Sequence, residues 1–170
     1  MHVQLNSDRA RIQTCARALA IRLNNRAWDL IERPHRTIAE TDEMVDAAHA
    51  ARELWAVATG SRSNIERLRA HHAVACAHYR AGHREDSLHA ARLADVEERA
   101  LARGVTEFDR VMTLVSMHLA ALLNFGAPVN EPLMSMVEAL GPEERELLSR
   151  LLPWPMERFM LEVTRPALSL

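Results

Sequence analysis

The sequence predicts an all-α domain of antiparallel helix pairs, about seven helices in all, and three observations lead there. Apolar residues recur at three- and four-residue steps through every long segment, and nowhere does the apolar/polar alternation of a half-buried strand persist. The five glycines, Gly60, Gly82, Gly104, Gly126 and Gly141, each fall close to the end of an apolar periodic run. That is where a left-handed residue closes a helix, and only glycine adopts it without a side-chain penalty. The first four glycines are spaced by roughly 22 residues, a helix of four or five turns plus a short turn, so the helices should stack as a regular array with antiparallel neighbours.

The elements follow in order. A first helix starts at Ser7 or Asp8, both capping residues, and carries Ile12, Cys15, Leu19 and Leu23 on one face. Asn24-Asn25 weakens it, Ala27 to Glu32 continues or restarts it, and Pro34 ends it by excluding helical geometry from the residue before it. A second helix is expected from about Ile38 to Ala58, with Met44, Ala47, Ala48, Ala51, Leu54 and Trp55 along one stripe. A third runs from about Ser63 to Ala81, with Ser63 and Glu66 read as a capping box. A fourth covers roughly Arg84 to Arg103. The fifth, from Thr106 to Phe125, is the most apolar of all and is therefore expected at the centre of the core. Pro132 and Pro142 stand at the starts of two shorter helices, and a last one is expected around Met156 to Val163.

Composition bounds the function classes. With 170 residues, 48% apolar and 26% charged, the chain has the make-up of one globular domain (1–170). It divides into an N-terminal helical segment (1–33), a central part (38–125) and shorter C-terminal helices (128–170). The 21 basic residues are all arginines, mixed with 23 acidic ones for a net charge of -2, which argues against a nucleic-acid partner. With no lysine, Schiff-base and P-loop chemistry are excluded. No apolar run reaches the roughly 18 residues of a membrane span and the first residues lack a signal-peptide core, so a cytoplasmic location without membrane association is expected. Cys15 and Cys76 lack CxxC spacing and read as small apolar residues inside helices.

The stretch Ala70 to Ala94 resembles one tetratricopeptide unit: small Ala75 facing the partner helix, Gly82 at the turn, then Ser87, Leu88 and Ala94. His71 stands where that unit usually has an aromatic residue, and the glycines do not repeat every 34 residues, so the array is degenerate. A longer stretch, Ala27 to about Ala121, with Ala27-Trp28-Asp29-Leu30, Pro34-His35-Arg36-Thr37, Ala47-Ala48-His49-Ala50, Trp55 and Gly104 to Asp109 in order, is similar to a family of uncharacterised bacterial tetratricopeptide-like proteins. The resemblance implies a right-handed stack of helix pairs and no particular activity. If its register holds, Arg69, His72, Cys76, Tyr79 and Arg80 line a concave face that binds a peptide or protein partner.

The nine histidines are the unusual feature. His71 and His78 share a helix face, as do His72 and Cys76. The last two are a candidate pair of metal ligands, since imidazole and thiolate both suit zinc, but no HExxH motif supplies the rest. His49, one turn before Glu53, is a candidate acid–base pair. The ordinary alternative for all of these is hydrogen-bonded or solvated histidines. Trp28, Trp55 and the methionines read as core filler. No GxSxG or glycine-rich phosphate loop is present. The reading is a non-catalytic interaction scaffold with no cofactor, with a metal-dependent or histidine-based enzyme centred on His49, His72 and His78 as the alternative. A homodimer would form through Ile12, Leu19 and Leu23 or through Leu147 to Leu152.

Overall fold

The computed structural model describes residues 2–60, 64–101, 103–125 and 132–151. They form seven helices and, among the described residues, no strand: α1 (His2–Ile31), α2 (Ile38–Thr59), α3 (Ile65–Ala81), α4 (Arg84–Ala100), α5 (Glu107–Phe125), α6 (Pro132–Ala139) and α7 (Pro142–Leu151). The helix expected around Met156 to Val163 lies outside the described residues. No helix among the described residues is long and apolar enough to cross a membrane.

Cross-helix contacts give the directions. Arg26 late in α1 bonds Glu43 early in α2 at 2.7 Å, and Arg17, earlier in α1, lies over the Trp55 ring late in α2. These two helices are therefore antiparallel. The same reasoning makes α3 antiparallel to α4, through Arg67–Glu97 and Ser87–Ala75. In contrast, α1 runs parallel to α3 through Arg17–Glu66 and Arg80–Arg33, and α3 runs parallel to α5 through Arg69–Asp109 and His72–Thr113. The result is an inner row of α1, α3 and α5, with α2 and α4 returning behind it. One contiguous core joins all seven helices, from Ala27, Met44 and Val74 through Val111 and Leu133 to Leu148.

Small residues allow this close approach. The buried stripe of α1 is Ala16, Ala20, Ala27, Leu30 and Ile31, whereas Ile12, Cys15 and Leu19 are exposed. The face expected from the larger residues is thus the outer one, because alanines let α2 come closer than a leucine stripe would. The α3–α4 pair meets as the sequence suggests, through Ala75, Ala94 and Ser87, whose hydroxyl donates to the Ala75 carbonyl at 3.2 Å.

The caps differ in detail from expectation. Asn64, not Ser63, caps α3, its side chain accepting from the Arg67 amide at 2.9 Å; Ser63 is not among the described residues. Glu66 is free to reach Arg17 instead. A reciprocal capping box sits on α2, between Thr37 and Glu40. Asn24-Asn25 does not interrupt α1, which runs unbroken for 30 residues. Arg36 donates to the Leu30 carbonyl at 2.9 Å and Arg80 to that of Arg33 at 2.9 Å, so two guanidinium groups satisfy carbonyls at and just beyond the end of α1. Gly104 lies beyond the end of α4, where Leu101 is the cap, and Gly141 precedes α7.

α3 occupies the middle position, touching α1, α2, α4 and α5, and every residue from Ala70 to His78 is buried. The fifth helix was the expected centre on apolar content. It is extensively buried, but it forms one end of the inner row, so position in the stack outranks apolar content.

Gly82 ends α3 in the left-handed conformation (φ 77°), with nothing within 4 Å of where a Cβ would stand. Gly82→Ala is therefore expected to cost only the backbone penalty, about 1–2 kcal/mol, with Gly82→Asn milder. Urea midpoints of the two variants against the parent check this.

Candidate functional site

Because α3 is enclosed, its side chains point into two different neighbourhoods. One face looks along the inner row toward α1 and α5, the other toward α2 and α4.

On the inner face a cavity of about 360 Å³ opens between α1, α3, α5 and α7. Its apolar wall is Trp28, Phe108, Met112 and Leu147; Asn24, Glu32, Arg69, His72 and Asp109 contribute its polar part. α7 lies over it, tied to the residue just past α1 by Arg150–Glu32 at 3.9 Å. The volume falls within the range of small-ligand pockets, roughly 300–1,000 Å³.

The polar groups of the cavity are held by their own network. Arg69 forks onto Asp109, Nε to Oδ1 at 2.8 Å and Nη2 to Oδ2 at 3.1 Å. The same Oδ2 accepts from the Thr106 hydroxyl (2.6 Å) and amide (3.1 Å), while Thr106 Oγ1 accepts from the Asp109 amide. Asp109 thus completes the cap of α5 and anchors α3 at once. Burial raises its carboxyl pKa, but the hydrogen bonds from Arg69 and Thr106 outweigh that and leave it below the ordinary value. The Thr113 hydroxyl donates its single proton to the Asp109 carbonyl at 3.2 Å, so at its 2.9 Å contact with His72 the donor is Nε2–H. Burial pushes the His72 imidazole down to about 3, so it is neutral at pH 7. Asn24 lines the same wall, and its side-chain Oδ1 is buried without a hydrogen-bond partner.

Of the five residues expected on a concave face, Arg69 and His72 reach this cavity. Cys76 is buried in the core, which pushes its thiol up to about 12. Tyr79 packs against the same core, and Arg80 binds the chain just past α1. His72 and Cys76 share a face but belong to no three-ligand cluster among the described residues.

The other face carries a chain of imidazoles. His49 of α2 meets His78 of α3, Nε2 to Nε2 at 2.7 Å, and His78 Nδ1 lies 3.1 Å from His83 Nδ1. Asp86, one turn into α4, brings a carboxylate oxygen within 4.8 Å of the ring nitrogens of His78 and His83. Burial lowers the pKa of His49, and lowers that of His78 to about 4. The convergence of His49, His72 and His78 that the alternative reading needs is absent: His49 and His78 meet, but His72 is on the opposite side of α3, and Glu53, the candidate acid–base partner of His49, pairs with Arg52. Helix-face spacing on α3 does not mark His83 and Asp86, because they lie beyond it, at the N-cap and in the first turn of α4. The signal was His78-x4-His83 across a glycine turn.

Comparison with family models, curated proteins and solved structures finds no match to this chain.

Buried histidines make the fold sensitive to acid, His71 and His72 among them. His71, beside Arg52, Arg67, Glu53 and His89, is lowered to about 4, and His72, beside Asp109, His71 and Arg69, to about 3, both chiefly by burial, from an unfolded value of 6.5. Below pH 6.5 the unfolded chain takes up protons that the folded chain refuses, so stability falls on acidification, by roughly 1.4 kcal/mol per pH unit for each histidine. Thermal melts are expected to drop steeply from pH 6.5 to pH 4, and His71→Gln to flatten the slope by one proton; an unchanged melting temperature across that window would refute it.

Proposed function

We propose that this protein is a non-catalytic interaction scaffold, a tetratricopeptide-like stack whose inner row, α1, α3 and α5, binds a segment of a partner protein. The cavity takes one bulky apolar side chain of that segment, and Arg69 at its edge meets the polar backbone or an acidic neighbour. The observation that carries this is the cavity itself: four apolar side chains from three helices converge on a space of about 360 Å³, with a half-exposed guanidinium at its edge.

The chemistry of its lining favours recognition over catalysis. A general acid or base works best with a pKa near the operating pH. Here the carboxylate is held ionised by four hydrogen bonds and the imidazole is held neutral by burial, so neither exchanges protons readily at pH 7. Fixed groups of this kind orient a ligand. The parallel inner row, with each return helix behind it and small residues at the α3–α4 contact, is the arrangement expected of a helical-repeat binding face.

Capture of a partner from the protein's own cell extract is the test, run in parallel with Arg69→Gln and Phe108→Ala. Both variants are expected to keep the helical circular-dichroism signal while reducing capture by at least tenfold, the loss typical of a central anchor. Full capture by both folded variants would reject the cavity as the binding site.

A further inference from the structure

We propose that His78, His83 and Asp86 form a binding site for a divalent transition-metal ion of the zinc class, with His49 as the outer partner that holds His78 in its ligating form. The site is independent of the inner-face cavity, being on the opposite side of α3.

The spacing of the donors is its ground. On a tetrahedral ion bound at 2.0–2.1 Å, two donor atoms stand roughly 3.3 Å apart. His78 Nδ1 and His83 Nδ1 are 3.1 Å apart, and all three candidate donor atoms lie within 4.8 Å of one another. His83, at the N-cap of α4, and Asp86, in its first turn, are exposed, so their side chains are free to close the remaining distance on an ion held by the buried His78.

The turn builds this juxtaposition. Gly82 in the left-handed conformation folds the chain back so that the His83 amide donates to the His78 carbonyl at 2.9 Å, which places the two imidazoles on the same side. His83 stands at the N-cap of α4, a position where Ser, Thr, Asp or Asn would accept from the helix amides, yet its side chain makes no capping bond. It is turned toward His78 instead.

Proton placement accommodates the ion. Without it, His83 Nδ1–H donates to His78 Nδ1 and His78 Nε2–H to His49 Nε2, one proton per imidazole. An ion between the two Nδ1 atoms takes both lone pairs, which puts the His78 proton on Nε2. That N–H then donates to His49 Nε2 at the 2.7 Å contact already present. A metal-bound histidine whose second nitrogen donates to a fixed acceptor is the usual outer-sphere arrangement of such sites. The Asp86 carboxylate supplies the negative charge. Arg52 is the opposing cation on this side, and Glu53 binds it at 2.6 Å. Two imidazoles and one carboxylate leave a fourth position for water.

Protein purified without a histidine tag and stripped with chelator is titrated with zinc chloride alone, by calorimetry at pH 7.5, and with cobalt(II) read by visible absorption. One equivalent of zinc is expected to bind at micromolar concentration or below, with a tetrahedral cobalt spectrum. His83→Ala and Asp86→Asn, both at exposed positions, should each weaken zinc at least tenfold, and Asp86→Asn, which leaves the His78–His83 contact in place, should keep the melting temperature of the metal-free protein unchanged. His49→Phe should weaken it by about tenfold, as loss of an outer-sphere partner does. Absence of zinc uptake at micromolar concentration, or wild-type affinity in both His83→Ala and Asp86→Asn, would overturn the proposal.

Discussion

A helix enclosed by four others has to satisfy its polar side chains from those neighbours, and α3 carries three histidines in its buried run. An unpaired buried polar group costs about 1–3 kcal/mol; His71 Nδ1 is buried without a hydrogen-bond partner, whereas the other two histidines constrain what the facing helices present. His72 requires Thr113 on α5, and His78 requires His49 on α2 and His83 before α4. The registers of α2, α4 and α5 against α3 are consequently tied to a few side chains, and both candidate sites are by-products of meeting that requirement.

The inner row adds a second set of ties. Arg17, Arg69 and Arg80 each reach across to a neighbouring parallel helix or the chain just beyond it. Arg17 and Arg69 are more than half exposed, so their contribution to stability is modest, but a planar guanidinium fork fixes geometry in a way that alanine-rich contacts do not. Alanine surfaces allow close approach while leaving sliding along the axis weakly determined, and ionic cross-links remove that freedom. Asp109 combines the roles of helix cap and cross-link, so the start of α5 is positioned by the same carboxylate that shapes the cavity.

Much of this architecture was legible in local sequence. Pro34, Gly82 and Pro142 mark element boundaries through backbone geometry, which depends on the residue itself, and the helices they bound fall where expected. The faces were less legible. In α1 the larger apolar residues Ile12 and Leu19 are outside and Ala16 and Ala20 inside, because a periodic pattern gives the repeat of a face but not which of two adjoining stripes a partner covers. Of the candidate site residues, Arg69 and His72 reach the cavity, while Cys76 and Arg80 are engaged in packing and in binding the chain after α1. Helix periodicity places all of them on neighbouring positions of α3 and carries no information about how near the next helix stands.

The sequence by itself located most of the helices among the described residues and the antiparallel return of α2 against α1 and of α4 against α3, because periodicity, caps and short connections act over a few residues. Only the tertiary structure decided that the histidine-rich α3, and not the more apolar α5, occupies the middle of the stack. It alone brought Trp28, Arg69, Phe108 and Leu147 around one cavity, and His49, His78, His83 and Asp86 around one point. The physical reason is the same in each case: these groups come from helices distant in sequence, and their meeting depends on packing distances and registers that no single helix encodes.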